Sequence, residues 1–257
     1  MKKLLLTTFA VLSATVAGSA MAADFPVNAP TPFAQRFSWT GCYLGGSLGG
    51  GFAQKNITDP AQLVQDSFLG AGSTVGTTSA RLSPDGVLAG LQLGCDYQFA
   101  PSWVVGMEGA AFGARMENST TVGLPLGNPD TALVKAKTDF LASVTVRLGY
   151  AFDNVLVYAK GGGAMAGDRF NITGSFMGMP FSFEGMQDRV GWVAGGGVEW
   201  AFSPHWSVNL EYDYYGFGRR SVTMLDAGNG FQGAVEVGQH IQVVKAGVNF
   251  HIWGNGW

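Results

Sequence analysis

Two alternating runs joined by a very short turn dominate residues 189–218 of this chain. In both runs one face is bulky and apolar, and the other is small, polar or charged. A period of two is typical of a β-strand whose faces meet different surroundings. Aromatic residues such as Trp192, Trp200 and Trp206 stand at the ends of the apolar face and bracket an aliphatic middle. This arrangement favours a strand that crosses a bilayer over one that covers a soluble core.

The same period recurs along the chain and predicts eight strands. They fall at about 41–52, 86–99, 103–112, 136–152, 155–166, the two runs of 189–218, and 239–252. The segments 53–85, 113–135, 167–188 and 217–238 are predicted to be long loops, and the remaining connections are tight turns. Long loops on one side and short turns on the other are typical of bacterial outer-membrane barrels. We therefore predict an all-β fold, an eight-stranded antiparallel up-and-down transmembrane β-barrel.

The start of the chain has the pattern of a secretory signal peptide. Lys2 and Lys3 precede an apolar run, and Ala20-Met21-Ala22 fits a small-residue cleavage site. We predict a signal peptide at 1–22, a periplasmic segment at 23–38, the barrel at 39–253 and a C-terminal tail at 254–257. A secreted chain with membrane-like strands predicts location in the cell outer membrane.

Composition narrows the function classes. Charged residues make up 13% of the chain, and without the predicted signal peptide 13 basic residues face 18 acidic ones. This balance lacks the clustered basic face of a nucleic-acid-binding protein, so we expect no nucleic-acid partner. The histidines at 205, 240 and 251 fall too far apart for a metal site, and we expect no metal and no cofactor.

Enzymatic activity is not indicated by the sequence. Ser221, Glu236 and His240 all fall near the predicted outer end, but no recognisable nucleophile motif joins them. We therefore predict that the protein is not an enzyme, and a hydrolytic activity sensitive to replacement of His240 would contradict this.

Charged residues on the inward faces form the first candidate site. They are Asp96, Glu108, Asp139, Arg147, Lys160, Glu199, Glu211, Asp213 and Lys245. One interpretation is a polar channel lining or an ion path. The interpretation that the geometry favours is a plugged interior with paired charges, since eight strands enclose a space that side chains can fill. Acidic residues outnumber basic ones, which points to protonated carboxylates or to entry of water and cations.

Aromatic residues recur where the predicted strands meet the tight turns. We predict that they form a girdle at the periplasmic boundary of the bilayer. Its members are Trp39, Tyr97, Phe99, Trp103, Tyr150, Phe152, Trp200, Phe202, Trp206 and Phe250.

Four stretches carry a family resemblance: 189–218, 39–50 (WTGCYLGGSLGG), 91–109 (LQLGCDYQFAPSWVVGMEG) and 144–152 (VTVRLGYAF). On these stretches the chain resembles the small, porin-like outer-membrane immunogenic proteins of α-proteobacteria. The resemblance implies an abundant surface antigen of a Gram-negative bacterium. It also implies contact with outer-membrane lipids and lipopolysaccharide, and with the barrel-insertion machinery during biogenesis. The chain departs from the family at Thr145, where a second inward Arg is common, and at Ile252, where an aromatic residue usually ends the last strand.

Cys42 and Cys95 occupy positions where this family usually has aromatic residues. If the first two strands pair so that residue numbers sum to 137, the two cysteines face each other on the outward side, and an oxidising compartment permits a disulfide. Two unpaired thiols facing lipid are the alternative, because register is weakly specified in glycine-rich strands.

The predicted loop at 167–188 is unusually apolar. Met177, Met179, Phe181 and Phe183 are candidates for contact with lipopolysaccharide, a host surface or haem, a ligand that the resemblance suggests and that Met can coordinate. The alternative, which we favour, is a strand pair that extends above the membrane with a packed apolar face. The predicted function is structural and surface-presenting, with a barrel that anchors four extracellular loops. A narrow porin or a haem or small-ligand uptake protein is the alternative.

Overall fold

The computed structural model describes residues 37–58, 79–123, 131–176, 178–226, 230 and 232–252. Nine strands occur in these ranges. They are β1 (Gly41–Thr58), β2 (Ser79–Leu82), β3 (Asp85–Gln98), β4 (Trp103–Gly123), β5 (Thr131–Phe152), β6 (Val155–Phe176), β7 (Met179–Ser203), β8 (Trp206–Asp226) and β9 (Gln232–His251). None of the described segments forms a helix that is long and apolar enough to cross a bilayer.

The strands close into a ring. Each of β3 to β8 pairs antiparallel with the next strand in chain order, and β1 pairs with both β3 and β9. The short β2 pairs with the outer end of β1 and continues the line of β3, so the ring has eight members. The predicted eight-stranded up-and-down β-barrel is thereby confirmed.

Exposed apolar side chains form a band around the outside of the ring. Leu48 and Leu91 are each 66% exposed and Val144 is 62% exposed, although all three are fully apolar. We call this band the apolar belt and treat it as the membrane-spanning part, because only hydrocarbon accommodates such a surface. It comprises residues 42–52, 87–99, 103–113, 140–152, 155–165, 190–202, 206–214 and 242–252.

The aromatic girdle lies at the end of the belt next to the tight turns, which we call the turn end. One predicted member does not belong to it. Nine of the ten predicted members have exposed side chains there, whereas Trp39 is only 1% exposed. Trp39 precedes β1, so strand alternation does not place it. Its indole Nε1 donates a hydrogen bond to the carbonyl oxygen of Asp153 at 3.1 Å, and the ring packs into the end of the barrel interior next to the turns.

The predicted long loops are a second correction, because most of their residues belong to strands. Beyond the belt, seven strands continue away from the turn end, and we call this part the outer extension. Its inward side chains are mostly apolar, with Ile172, Phe183 and Val237 at 0% exposure, and its outward side chains are mostly polar. The alternation is therefore reversed relative to the belt, as expected for a barrel wall that stands in water around its own core.

Irregular pairing marks the boundary between belt and extension. The register shifts between Gly113 and Met116 on β4, between Thr138 and Phe140 on β5, and between Gly216 and Gly218 on β8. Such bulges bend a strand and increase its twist. We infer that the wall changes direction here, where its surroundings change.

The predicted segment boundaries are only partly represented in the structure. The signal peptide at 1–22, all but two residues of the periplasmic segment at 23–38, Trp253 and the tail at 254–257 lie outside the described residues. The described strands span Gly41 to His251, within the predicted barrel.

Candidate functional site

Inward side chains fill the barrel in five successive layers. Starting from the turns, these are an inner apolar layer, an inner polar layer, a middle apolar layer, an outer polar layer and an outer apolar layer. Representative members, in that order, are Trp39 and Leu156; Arg147 and Lys160; Phe112 and Tyr215; Lys55 and Asp168; Phe170 and Phe183. Polar and apolar strata therefore alternate along the axis.

Arg147 on β5 is the centre of the inner polar layer. Its Nε donates to Asp96 Oδ1 at 2.7 Å, Nη2 contacts the other oxygen of that carboxylate, and Nη1 donates to Glu199 Oε2 at 3.2 Å. The guanidinium also lies over the rings of Tyr43 and Tyr158, 4.7 and 4.9 Å from their centroids. Because a guanidinium is planar and carries five donors, it can hold two carboxylates and two ring faces at once.

Two lysines hold the remaining carboxylates of this layer. Lys160 Nζ lies 2.9 Å from Glu108 Oε1 and also contacts Glu211, while Lys245 Nζ lies 2.8 Å from Glu211 Oε2. Asp213 lies 3.4 and 3.2 Å from the two ammonium groups. The structure therefore joins eight of the nine predicted inward charges into one network of five carboxylates and three cations.

Asp139 is the exception and a correction to the predicted site. The bulge between Thr138 and Phe140 removes it from strand alternation. Its carboxylate, 29% exposed, pairs outside the barrel with Lys137 Nζ at 2.7 Å and Arg169 Nε at 2.9 Å.

The outer polar layer was missed by the sequence pattern, because Lys55 and Asp168 fell in predicted loops. Lys55 Nζ lies 2.7 Å from Asp168 Oδ1 and donates to Thr138 Oγ1 at 2.9 Å. Arg189 Nε lies 3.4 Å from Asp168 Oδ2, and Nη1 donates to the carbonyl oxygen of Val237 at 2.8 Å. This layer stands above the belt, where burial lowers the pKa of Lys55 while the charge of Asp168 opposes that shift. The sequence did carry a signal for Lys55, because this residue continues the alternation of β1 and falls on an inward position.

A serine, a histidine and a carboxylate meet in the inner polar layer. Ser207 Oγ lies 2.5 Å from Glu199 Oε1 and 3.0 Å from His251 Nε2, and that same ring nitrogen lies 3.5 Å from Glu199 Oε1. A nucleophilic triad needs the histidine between the other two, one ring nitrogen on each. Here one nitrogen faces both and the hydroxyl donates directly to the carboxylate, so the group is a structural hydrogen-bond cluster.

The other candidate catalytic residues do not converge. Ser221 and Glu236 are opposite each other in the β8–β9 ladder. The ring of His240 instead contacts Gln54 Oε1 at 3.0 Å and stacks on Tyr214. Across the described ranges, no set of three or more His, Cys, Asp or Glu side chains is arranged to hold a metal ion.

Cys42 and Cys95 are joined by a disulfide in the structure, with their sulfur atoms 2.09 Å apart. The two residues are direct partners in the β1–β3 ladder, in the register whose residue numbers sum to 137. The bridge lies on the outward face near the turn end of the belt.

The hairpin formed by the ends of β6 and β7 confirms the favoured interpretation of this segment, an extended strand pair, and corrects the ligand-contact interpretation for two residues. Phe181 and Phe183 are 5% and 0% exposed and belong to the outer apolar layer, so their rings are not available to an external ligand. Met179 is 51% exposed near the hairpin tip, and Met177 lies outside the described residues. The strands extend above the belt with a packed apolar face.

Comparisons with known proteins agree with this architecture. The family profile described as "Outer membrane protein beta-barrel domain" matches residues 9–251. The 31 kDa outer-membrane immunogenic protein of Brucella melitensis is 28% identical over 257 residues, covering 97% of this chain and 99% of that protein. The 25 kDa outer-membrane immunogenic protein of Brucella abortus is 28% identical, covering 87% and 88%. The outer membrane protease OmpT from Escherichia coli superposes with a TM-score of 0.51 at 8% identity, over 86% of this chain and 100% of that one, a likeness of fold alone.

Proposed function

Because this chain belongs to the outer membrane protein β-barrel domain family and resides in the outer membrane, we propose that it is a closed barrel with a structural and surface-presenting role. The belt anchors the molecule, and the outer extension carries the connections between strands away from the bilayer. The immunogenic proteins of Brucella are similar over nearly the whole chain, which supports presentation at the cell surface.

The filled lumen is the observation that carries this proposal. The side chains of Arg147, Lys160 and Lys245 are each 1% exposed at the level of the inner polar layer. Apolar layers lie on both sides of this network, so a hydrated ion would have to displace packed side chains at several heights. This favours a plugged anchor over the alternative of a narrow porin.

For a surface-presenting protein, we expect the binding partners at the outer end of the barrel. We propose that host or other surface ligands meet the four connections at the outer rim, that lipids and lipopolysaccharide surround the wall, and that the insertion machinery acts during assembly. We propose no catalytic role, because the Ser207 cluster lacks the geometry of a relay. Haem uptake loses support because the phenyl rings of Phe181 and Phe183 are buried.

Conductance of the refolded mature chain in a planar bilayer tests the proposal. We expect no stable current steps beyond those of a boiled control, from protein that shows a folded, heat-sensitive band on a gel. A known porin refolded in parallel verifies the assay. Reproducible steps that vanish on boiling would contradict the plugged barrel and support the porin.

A further inference from the structure

We propose that the wall formed by β4, β5 and β6 binds one phosphorylated glycolipid of the outer leaflet. An acyl chain occupies a hollow in the belt, and the phosphosugar occupies a groove directly above it. The proposal deepens the proposed function and rests on it in one respect, since the outer extension must face the cell exterior. Two separate features of the same wall, at two depths, support it.

The first feature is a recess in the lipid-facing surface, which we call the wall hollow. Small residues form it: Gly109 and Ala111 on β4, Ala142 on β5 and Gly163 on β6. The hollow has a volume of about 560 Å³, and no atom lies within 4 Å of the point where a Cβ would stand at either glycine. Gly109 and Gly163 flank Val144 on its two sides. At this depth in the belt the available occupant is a hydrocarbon chain.

The second feature is a polar depression on the outside of the extension, which we call the rim groove. Glu117, Lys137, Arg169 and Met186 are successive partners across β4, β5, β6 and β7 and form one row. Lys135, Asn171 and Glu184 form the row above it. Together they enclose about 450 Å³ on the same strands that carry the wall hollow.

The charged side chains of the rim groove indicate which class of lipid headgroup fits there. Lys135, Lys137 and Arg169 supply donors for a phosphate, with which lysine and arginine form charge-assisted hydrogen bonds. Lys137 and Arg169 also hold the carboxylate of Asp139, but an ammonium carries three donors and a guanidinium five, so both keep donors for a phosphate. Glu117 and Glu184 supply acceptors, which disfavour a simple anionic phospholipid but accept hydrogen bonds from sugar hydroxyl groups. A headgroup with both phosphates and hydroxyls uses both sets, whereas a phosphatidyl headgroup uses mainly the cations.

The distance in depth between the rim groove and the wall hollow matches the thickness of one leaflet. Lys137 and Val144 are seven residues apart on β5, which is about 24 Å along a strand. At the usual strand tilt of about 40° this corresponds to roughly 18 Å of depth. Half of a hydrocarbon core of about 30 Å, plus part of the headgroup region, is of the same size. A single lipid molecule therefore reaches from the rim groove into the wall hollow.

Native mass spectrometry of the refolded mature protein in detergent tests the proposal. The probes are bis-phosphorylated lipid A, its dephosphorylated form and phosphatidic acid, whose headgroup is a phosphate without a sugar or glycerol. We expect a one-to-one complex with lipid A and roughly tenfold weaker retention of the other two, since each loses one set of charge-assisted contacts. K137Q/R169Q should lower lipid A retention to that of the dephosphorylated form. E117Q/E184Q should weaken the binding of lipid A while leaving that of phosphatidic acid unchanged or tighter.

The wall hollow is tested by G163L, which fills open space outside the barrel without a clash inside it. We expect weaker lipid A retention from G163L and no change from G50L, which fills outward space on β1 away from this wall. R220Q, an exposed basic residue on β8, is the charge control. Equal retention of all three lipids, or equal losses in the control variants, would overturn the proposal. That outcome leaves the conductance result untouched, so the two proposals fail separately.

Discussion

At the scale of single residues, Arg147 illustrates how the inner polar layer is held together. It satisfies two carboxylates and lies between two tyrosine rings while almost fully buried. A buried ion pair contributes little net stability, but breaking it leaves an uncompensated charge. Arg147 is therefore important mainly because its removal would leave the carboxylates of Asp96 and Glu199 buried without their cation.

Replacing Arg147 by Met should lower the free energy of unfolding by about 3–5 kcal/mol, because Asp96 and Glu199 lose their main cation in a dry interior. Urea unfolding of the refolded protein in detergent, followed by the heat-sensitive gel band, measures this. Arg220→Met is the matched control and should change stability by no more than about 0.5 kcal/mol, since that residue is exposed. A loss at Arg147 no larger than the control's would show that the network is hydrated.

Residue-level prediction worked where strand parity was uninterrupted. The period of two located Glu108 and Glu211 correctly because each lies in a stretch of its strand that comes before the bulge. It failed at Asp139, because a bulge resets parity without a sequence signal as clear as a glycine or proline. It also failed at Trp39, whose position depends on a hydrogen bond to a distant turn.

At the scale of elements, β1 illustrates why a covalent link is useful. It carries glycine at positions 41, 45, 46, 49, 50 and 51, so few side chains define its register against β3. The Cys42–Cys95 bridge joins two direct ladder partners and therefore excludes a slipped pairing.

Cys42→Ser/Cys95→Ser should lose up to about 4 kcal/mol of stability, since the bridge spans 53 residues and restricts the unfolded chain. The same unfolding assay measures the loss, and wild-type protein treated with a reductant should resemble the variant. In unreduced wild-type protein, a thiol reagent should modify neither cysteine. Modification of both would refute the bridge.

The β6–β7 extension gives a second element-scale prediction. Phe183→Ala should destabilise the outer apolar layer by about 3–5 kcal/mol, because it leaves a cavity at a fully buried site. Limited proteolysis should then cut the outer extension faster and leave the belt intact. Met179→Ala, at a position that is 51% exposed, is the control and should be cut at the wild-type rate. Equal rates for all three proteins would contradict a packed extension.

The extension was predicted poorly because its apolar faces are reversed. Outward apolar alternation defined the predicted strands, and it ends at Phe52 and Phe140 where the belt ends. Beyond these residues the alternation continues with the apolar residues inward, as in Val134, Ala136 and Ile172. The sequence did carry a signal for the extension: the period of two continues, but the apolar residues move from the outward to the inward positions.

At the scale of the whole molecule, the layers act in series. An opening in one of the five layers leaves the other four intact along the axis. In the proposed plugged barrel, the block therefore does not depend on any single side chain.

The double variant Phe112→Ala/Tyr215→Ala should remain non-conducting in the planar-bilayer assay, although it hollows the middle apolar layer. The outer polar layer lies beyond the middle layer, and the inner polar layer keeps its ion pairs although Lys245 loses the ring of Phe112 and Asp213 loses the hydroxyl of Tyr215. A folded variant that shows stable current steps, absent from wild type, would mean that the middle layer alone is the barrier.

The closure of the ring has a kinetic consequence. Tyr43 is a ladder partner of His251, so the closing pair joins residues more than 200 positions apart. Non-local pairing of this kind forms slowly, because the entropy of bringing distant segments together must be overcome first. Asn249 on the closing strand bonds both Gln92 and Glu199, so bonds that cross the lumen are completed only when β9 docks. Until that moment the carboxylates remain accessible to water, and dehydration of the interior is among the last events of assembly.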